Sequence, residues 1–328
     1  MYASDATSTT RFDALCLEND MERKKSQSMN RLRFPDRRMV VSGIAAMAAT
    51  PLLSDRAQAS ADSLHDLPPI GMGTWITFDV GDDSAARAQR VEVLRAFFEE
   101  GGRLVDSSPM YGSAEDVLGH CLARLGKKQV FAASKVWIPA VSFGPEQIAA
   151  SRSLWGVERF DSMQVHNLLS YEGHIETLRA MKAEGQVGSI GVTTSHGRRH
   201  DRLADIIESD DSLDSVQLTY NILDREAEAR LLPMLGERGR AVIVNRPFRR
   251  GQIIERLRGQ PLPDFASEIG VETWPQYLLK WIISHPAVTL AIPATSNVRH
   301  MRENMAAMRG PMPDAAMRVR MLDPILAL

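Results

Sequence analysis

Eight short apolar runs, each followed by an amphipathic stretch, recur between residues 70 and 293 of this chain. The runs are 70–75, 103–107, 130–135, 162–166, 189–193, 215–220, 241–245 and 289–293. Strands that alternate with helices favour a parallel sheet. Eight such units in about 260 residues fit a closed (β/α)8 barrel of the TIM type better than an open doubly wound sheet. The stretches between the runs carry helical signals. Val91, Leu94 and Phe98 recur at helical spacing, and Glu99-Glu100-Gly101-Gly102 stops that helix. Ser113 followed by Asp116 reads as a capping box, with Gly126 closing the same helix. Ile175, Leu178 and Met181 form a further stripe, ended by Gly185. No repeat or low-complexity linker follows residue 65, so residues 60–328 read as one domain.

Residues 1–59 read as a leader, not as fold. The first 28 are polar and aperiodic. Arg37-Arg38 then precede a weakly apolar run, 40–53, and a small-x-small signature, Ala57-Gln58-Ala59. The order is that of a twin-arginine export signal, which predicts a periplasmic mature chain from Ser60; the bland alternative is an uncleaved basic leader. The apolar run is about 14 residues, short of the about 20 that cross a bilayer.

A net charge of −2 gives no footprint for nucleic acid or an acidic membrane. With Cys16 in the leader, Cys121 is left as one thiol on an apolar helical face beside Val117, Leu118, Leu122 and Leu125, a structural cysteine. His196 and His200 are four apart but have no third ligand nearby, so no metal site is expected. Gly71-x-Gly73 lacks the third glycine and the helix of a dinucleotide fingerprint. Met301, Met305, Met308 and Met312 are read as the packing face of a terminal helix.

Four residues then carry the chemistry. Asp106, Tyr111, Lys135 and His166 each fall at or just past the end of an apolar run, and in a parallel barrel such positions converge on one mouth. Hydride addition to a carbonyl builds negative charge on oxygen, which a nearby acid must quench. A tyrosine with an ordinary pKa of about 10 is a reluctant donor. An adjacent ammonium lowers that pKa, and Lys135 is placed to do so, with Asp106 as its counter-ion. His166 can orient the substrate oxygen. Singly, each has a structural explanation: a strand-end cap, a loop aromatic, a solvated charge, a core histidine. Their joint placement at successive strand ends is what points to carbonyl reduction, with a hydride supplied by a cofactor.

With these residues in hand, the sequence resembles the aldo-keto reductases from about Asp66 to Met308. The likeness is carried by GMGTW (71–75), the stretch Asp106-Ser107-Ser108-Pro109-Met110-Tyr111-Gly112-Ser113-Ala114-Glu115, SKVW (134–137), QVHN (164–167), GQVGSIGVTT (185–194), VQLTYNIL (216–223), NRPFRRG (245–251) and IPATSNVRHMRENM (292–305). The resemblance implies a barrel that binds NADPH in extended form, with Tyr111 as general acid, Lys135 and Asp106 as its tuning pair and His166 as substrate orienter. It implies Asn167, Thr193, Thr194 and Gln217 near the nicotinamide carboxamide, and Asn245, Arg246, Pro247, Phe248, Arg249, Arg250 and Gly251 along the cofactor, from Arg246 onward around its pyrophosphate. Thr295, His300, Glu303 and Asn304 would meet the adenosine end, and Trp75, Trp137 and Met110 the substrate. Three departures stand out. Thr193-Thr194 replaces a usual Ser-Asn, so Thr194 has no amide to offer. Asn245 replaces a stacking Tyr, leaving Arg246 as the planar group that can stack. Ala294 and His300 stand where a Lys and an Arg often hold the 2′-phosphate, which leaves NADH open beside NADPH. The implied partner is a small carbonyl compound. The alternative is an exported cofactor-binding sensor or regulatory subunit with little turnover; a protein partner is possible for it but not indicated by the sequence.

Overall fold

A computed structural model describes residues 63–126 and 130–327. The leader and its twin-arginine signal lie outside the described residues, as do Lys127 and Lys128. All eight expected runs form strands: β1 (Met72–Gly73), β2 (Leu104–Asp106), β3 (Phe131–Val136), β4 (Phe160–Val165), β5 (Val187–Thr193), β6 (Ser215–Thr219), β7 (Ala241–Asn245) and β8 (Leu290–Ala291). They pair in chain order, all parallel. Parallel bridges from Ile70 to Ala291 and from Gly73 to Ala294 bring the last strand back to the first. The (β/α)8 expectation therefore holds, with β1 and β8 shorter than the apolar runs that announced them.

Alternation along the strands decides what enters the barrel. Leu104, Phe131, Ala133, Ala241, Ile243, Leu290 and Ile292 share one buried cluster with Leu64 and Leu67 from the segment preceding β1. The opposite faces, such as Val105, Ala132, Val136, Val216 and Val242, join the larger core under the helices. Asp106 shares its face with Leu104, and Lys135 shares its face with Phe131 and Ala133. The same parity that fills the barrel floor with apolar groups therefore places an acid and a base inside, near its upper end.

The glycines of the GMGTW segment serve this closure. A Cβ on Gly73 would lie 2.8 Å from the Ile292 carbonyl oxygen, so only glycine lets β1 and β8 approach. The helix Ala114–Leu125 ends on Gly126 in the left-handed conformation, as expected. Its N-terminus differs from expectation. The Ser113 hydroxyl makes no cap bond; it donates to Asp79 Oδ1 at 2.9 Å and accepts the Gly81 N–H at 2.8 Å, tying the loop after β2 to the loop after β1. A long-range carboxylate outcompetes the local capping box. Cys121 is buried on this helix, and burial pushes its thiol up to about 12, so it is an inert packing group.

Met301 and Met305 pack inward from the helix Val298–Ala306, whereas Met312 is exposed, so the methionine stripe is shorter than expected. The helix Ala315–Arg320 and the residue that follows it dock on the outer-wall helix Trp274–Ile283: the Tyr277 hydroxyl donates to the Met321 carbonyl at 2.8 Å, and Trp281 Nε1 donates to the Arg318 carbonyl at 3.1 Å. Among the described residues no helix is long and apolar enough to cross a membrane.

Candidate active site

Asp106 is the last residue of β2, Lys135 the penultimate residue of β3, and His166 the first residue after β4. Tyr111 comes from the loop after β2. Lys135 Nζ donates to Asp106 Oδ2 at 2.6 Å and to the Ser107 carbonyl at 2.8 Å, and both charged side chains are almost wholly excluded from solvent. The second carboxylate oxygen, Oδ1, accepts from Gln217 Nε2 at 2.9 Å. Burial pulls the Lys135 ammonium down, and Asp106 works against that pull.

Tyr111 packs close to this pair, its ring centroid 5.1 Å from Lys135 Nζ. Its phenol is nevertheless pushed well above its ordinary value, first by burial and then by Asp106 and Glu115. Burial thus outweighs the lowering expected from Lys135. Asp106 neutralises the ammonium at contact distance, so Tyr111 faces a compact ion pair rather than a free cation. The outcome is a firmly protonated phenol, the form a proton donor requires. His166 stands edge-on to Tyr111, centroids 5.7 Å apart at 86°. Burial, then Lys135, holds its imidazole well below 6.5, so it is neutral. Its Nδ1 lies 2.9 Å from the Ser108 hydroxyl.

Tyr111 and His166 line a cavity of about 1160 Å³ that runs from the barrel mouth toward the loops after β7 and β8. Trp75 and Met110 flank them at one end. Arg250 covers Trp75, its guanidinium carbon 4.2 Å from the ring centroid. The cavity lining includes left-handed backbone at five non-glycine residues: Ile76, Asn167, His196, Arg246 and Arg250 all have φ between 52° and 65°. For a β-branched isoleucine this is a true outlier, and such strain collects where a fold shapes a ligand site.

The sequence profile of the Aldo/keto reductase family matches residues 69–319. The chain belongs to the aldo/keto reductase family. As a member it is an oxidoreductase of carbonyl groups. Among its relatives, the methylglyoxal reductase YeaE of Escherichia coli (strain K12) is 29% identical over 252 residues, which cover 74% of this chain and 86% of that protein. The NADH-specific methylglyoxal reductase of the same organism is 24% identical over 307 residues, covering 76% and 92%. A solved aldo-keto reductase of Klebsiella pneumoniae in complex with NADPH is 25% identical and superposes with a TM-score of 0.65, over 79% of this chain and 91% of its own.

In this aldo/keto reductase most of the expected cofactor residues do reach the cavity: Asn167, Thr193, Gln217, Asn245, Arg246, Pro247, Phe248, Arg250, Gly251, Thr295, His300, Glu303 and Asn304. Four expected site residues do not. Trp137 is tied by its backbone to Gln147, donating its N–H at 2.6 Å and accepting at 2.9 Å, and stays off the cavity wall. Thr194 is buried outside it, its carbonyl accepting from Asn245 Nδ2 at 2.8 Å. Arg249 turns away to a bidentate ion pair with Asp224. Lys135 lies behind Tyr111 rather than on the wall.

Sequence reasoning missed two groups. Glu255, Arg258 and Trp274 line the far end outside every quoted motif, and Arg299 lines it from within the 292–305 stretch without having been singled out. His196, weighed only as a metal ligand, joins a polar chain: Arg246 Nη1 contacts its Nε2 at 2.6 Å, its Nδ1 contacts Ser195 Oγ at 2.9 Å, and Ser195 donates to Asn167 Oδ1 at 3.2 Å. Burial and the neighbouring Arg246 lower His196 to about 4, so it is neutral and accepts from the arginine. Among the described residues no group of three His, Cys, Asp or Glu could hold a metal.

Proposed function

We propose that this chain reduces an aldehyde or ketone to the alcohol, with Tyr111 donating the proton and a nicotinamide dinucleotide donating the hydride. The observation that carries this reading is the pairing at one end of the cavity: a protonated Tyr111 and a neutral His166, with the Lys135–Asp106 pair buried behind them. His166 holds the carbonyl oxygen near the Tyr111 hydroxyl. As negative charge grows on that oxygen, the phenol proton moves onto it, and Lys135 shifts its favourable field onto the phenolate left behind. The low-dielectric pocket strengthens each of these terms.

The cavity suits a dinucleotide. Among the described residues Arg246 and Arg250 line it with no carboxylate ion pair, and Arg246 Nε is buried with no hydrogen-bond partner, as a phosphate-binding group would be before its ligand. Asn167, Thr193 and Gln217 offer polar groups beside the catalytic end, and Arg299 offers a cation and His300 a polar ring at the far end. When bound, the nicotinamide supplies the hydride. The NADPH complex of the Klebsiella relative and the NADH-specific relative make both cofactors the ones to compare. The methylglyoxal reductases make small 2-oxoaldehydes the first substrates to offer.

The test is cofactor oxidation by the chain from Ser60 onward, with NADPH and NADH in parallel and Tyr111→Phe alongside. Turnover lost in the variant while cofactor fluorescence titration stays unchanged is the expected result; equal turnover in the variant sinks the assignment. The sensor reading draws on the export signal together with Asn245 and Thr194, and tight cofactor binding with no turnover on any aldehyde would favour it. We further propose that residues 1–59 direct twin-arginine export and leave 60–328 as the functional domain in the periplasm. Fused to a reporter, this leader is expected to be exported, and to stop being exported when Arg37 and Arg38 become Lys.

A further inference from the structure

We infer that Ser108 is a positioning residue that sets the tautomer of His166 and so aims an N–H at the substrate oxygen. The inference rests on the reductase reading for its consequence but not for its geometry. Ser108 lies in the loop after β2 with no exposure to solvent. Its hydroxyl oxygen accepts the Met110 N–H at 3.2 Å and lies 2.9 Å from His166 Nδ1.

A serine hydroxyl has one proton to donate, and among the described residues the one acceptor found for it is His166 Nδ1. Nδ1 must then carry a lone pair. A neutral imidazole has one N–H, so the proton sits on Nε2. That atom makes no hydrogen bond to protein among the described residues and belongs to a side chain on the cavity wall, so it is free for a ligand. The ring stands edge-on to Tyr111, which lets the two donors converge on one oxygen. Nδ1 and the Ser108 hydroxyl come from segments 58 residues apart, so only the closed barrel brings them together.

Without the hydroxyl, no hydrogen bond to protein among the described residues fixes which nitrogen carries the proton. A molecule with its proton on Nδ1 would turn an Nε2 lone pair toward the carbonyl oxygen and repel it. The loss grows as that oxygen becomes negative, so it falls on kcat more than on KM.

The experiment compares the full chain with Ser108→Ala, labelled with [15N]histidine. His166 is assigned by its absence in His166→Gln. The wild-type spectrum, recorded without substrate, is expected to show the Nε2–H tautomer at His166; the variant is expected to show a mixture of tautomers. Turnover of a small 2-oxoaldehyde is expected to fall about tenfold, mainly in kcat, the effect of one lost hydrogen bond to a polar partner, with cofactor affinity unchanged. An Nδ1–H tautomer in the wild type overturns the inference whether or not the variant folds. So does a variant whose tautomer and kcat both match the wild type. A wild type with the Nε2–H tautomer and no turnover on any carbonyl would instead overturn the reductase reading and leave the tautomer assignment standing.

Discussion

Replacing Lys135 with methionine removes one half of a buried ion pair and leaves the other stranded. The two side chains are 0% and 3% exposed and 2.6 Å apart. At that distance the attraction is about 6 kcal/mol for an effective dielectric of about 20, and withdrawing both ions from water costs several kcal/mol each. The intact pair is therefore close to neutral for stability. The single variant is not. Asp106 keeps the Gln217 N–H at 2.9 Å but loses its counter-ion, which is expected to cost about 3–5 kcal/mol. For a domain of this size that is a fall of roughly 6–20 °C in Tm. The double variant Lys135→Met, Asp106→Asn removes both charges while the asparagine still accepts from Gln217. It is expected to recover most of the lost stability and none of the turnover. The assay is thermal unfolding by circular dichroism at pH 7, beside cofactor oxidation. Arg202→Ala, which breaks the exposed pair with Glu172, serves as a control and is expected to change stability by less than about 1 kcal/mol. If Lys135→Met costs no more than that control, or if the double variant is worse than the single, the argument from an uncompensated buried charge is wrong.

Burial keeps His166 from taking up a proton that the unfolded chain accepts below about pH 6.5, so stability is expected to decline as pH falls from there. In urea unfolding at pH 7 and pH 5.5, His166→Gln should shrink that decline; an unchanged or steeper one would refute it. Arg246→Ala is expected to weaken cofactor binding about tenfold, and Arg249→Ala by less than about twofold, because Arg249 is committed to Asp224; equal losses in fluorescence titration would contradict this placement. Trp75→Ala is expected to raise KM for an aromatic aldehyde about fivefold, as about 1 kcal/mol of apolar contact is lost, while Trp137→Ala leaves it unchanged; the reverse order in steady-state kinetics would show that the cavity wall is misassigned.

Much of this architecture was legible along the chain because it depends on local periodicity. Alternating apolar runs announce strands, helical stripes announce the outer layer, and the position of Asp106, Lys135 and His166 at successive strand ends follows from where those runs stop. Once β2 and β3 pair in register, with Asp106 opposite Ala133, inward parity alone brings the acid and the base to one place. The Arg246–Gly251 segment was recognisable as a site element from the family resemblance, but which side chains enter the cavity was not. Arg249 and Arg250 are adjacent and equally basic. Left-handed backbone at both, with Asp224 waiting on one side and Trp75 on the other, sends them to different partners.

The sequence by itself determined the eight strands and their alternation with helices, since these rest on patterns that repeat within a few residues, and it placed Asp106, Lys135 and His166 at strand ends. Only the tertiary structure decided the rest: that Ser113 bonds Asp79 instead of capping its helix, that Trp137 leaves the pocket, that Tyr111 faces a neutralised ion pair, and that Ser108 meets His166. Each depends on burial or on a hydrogen bond between segments distant in the chain, and neither exists until the strands have closed.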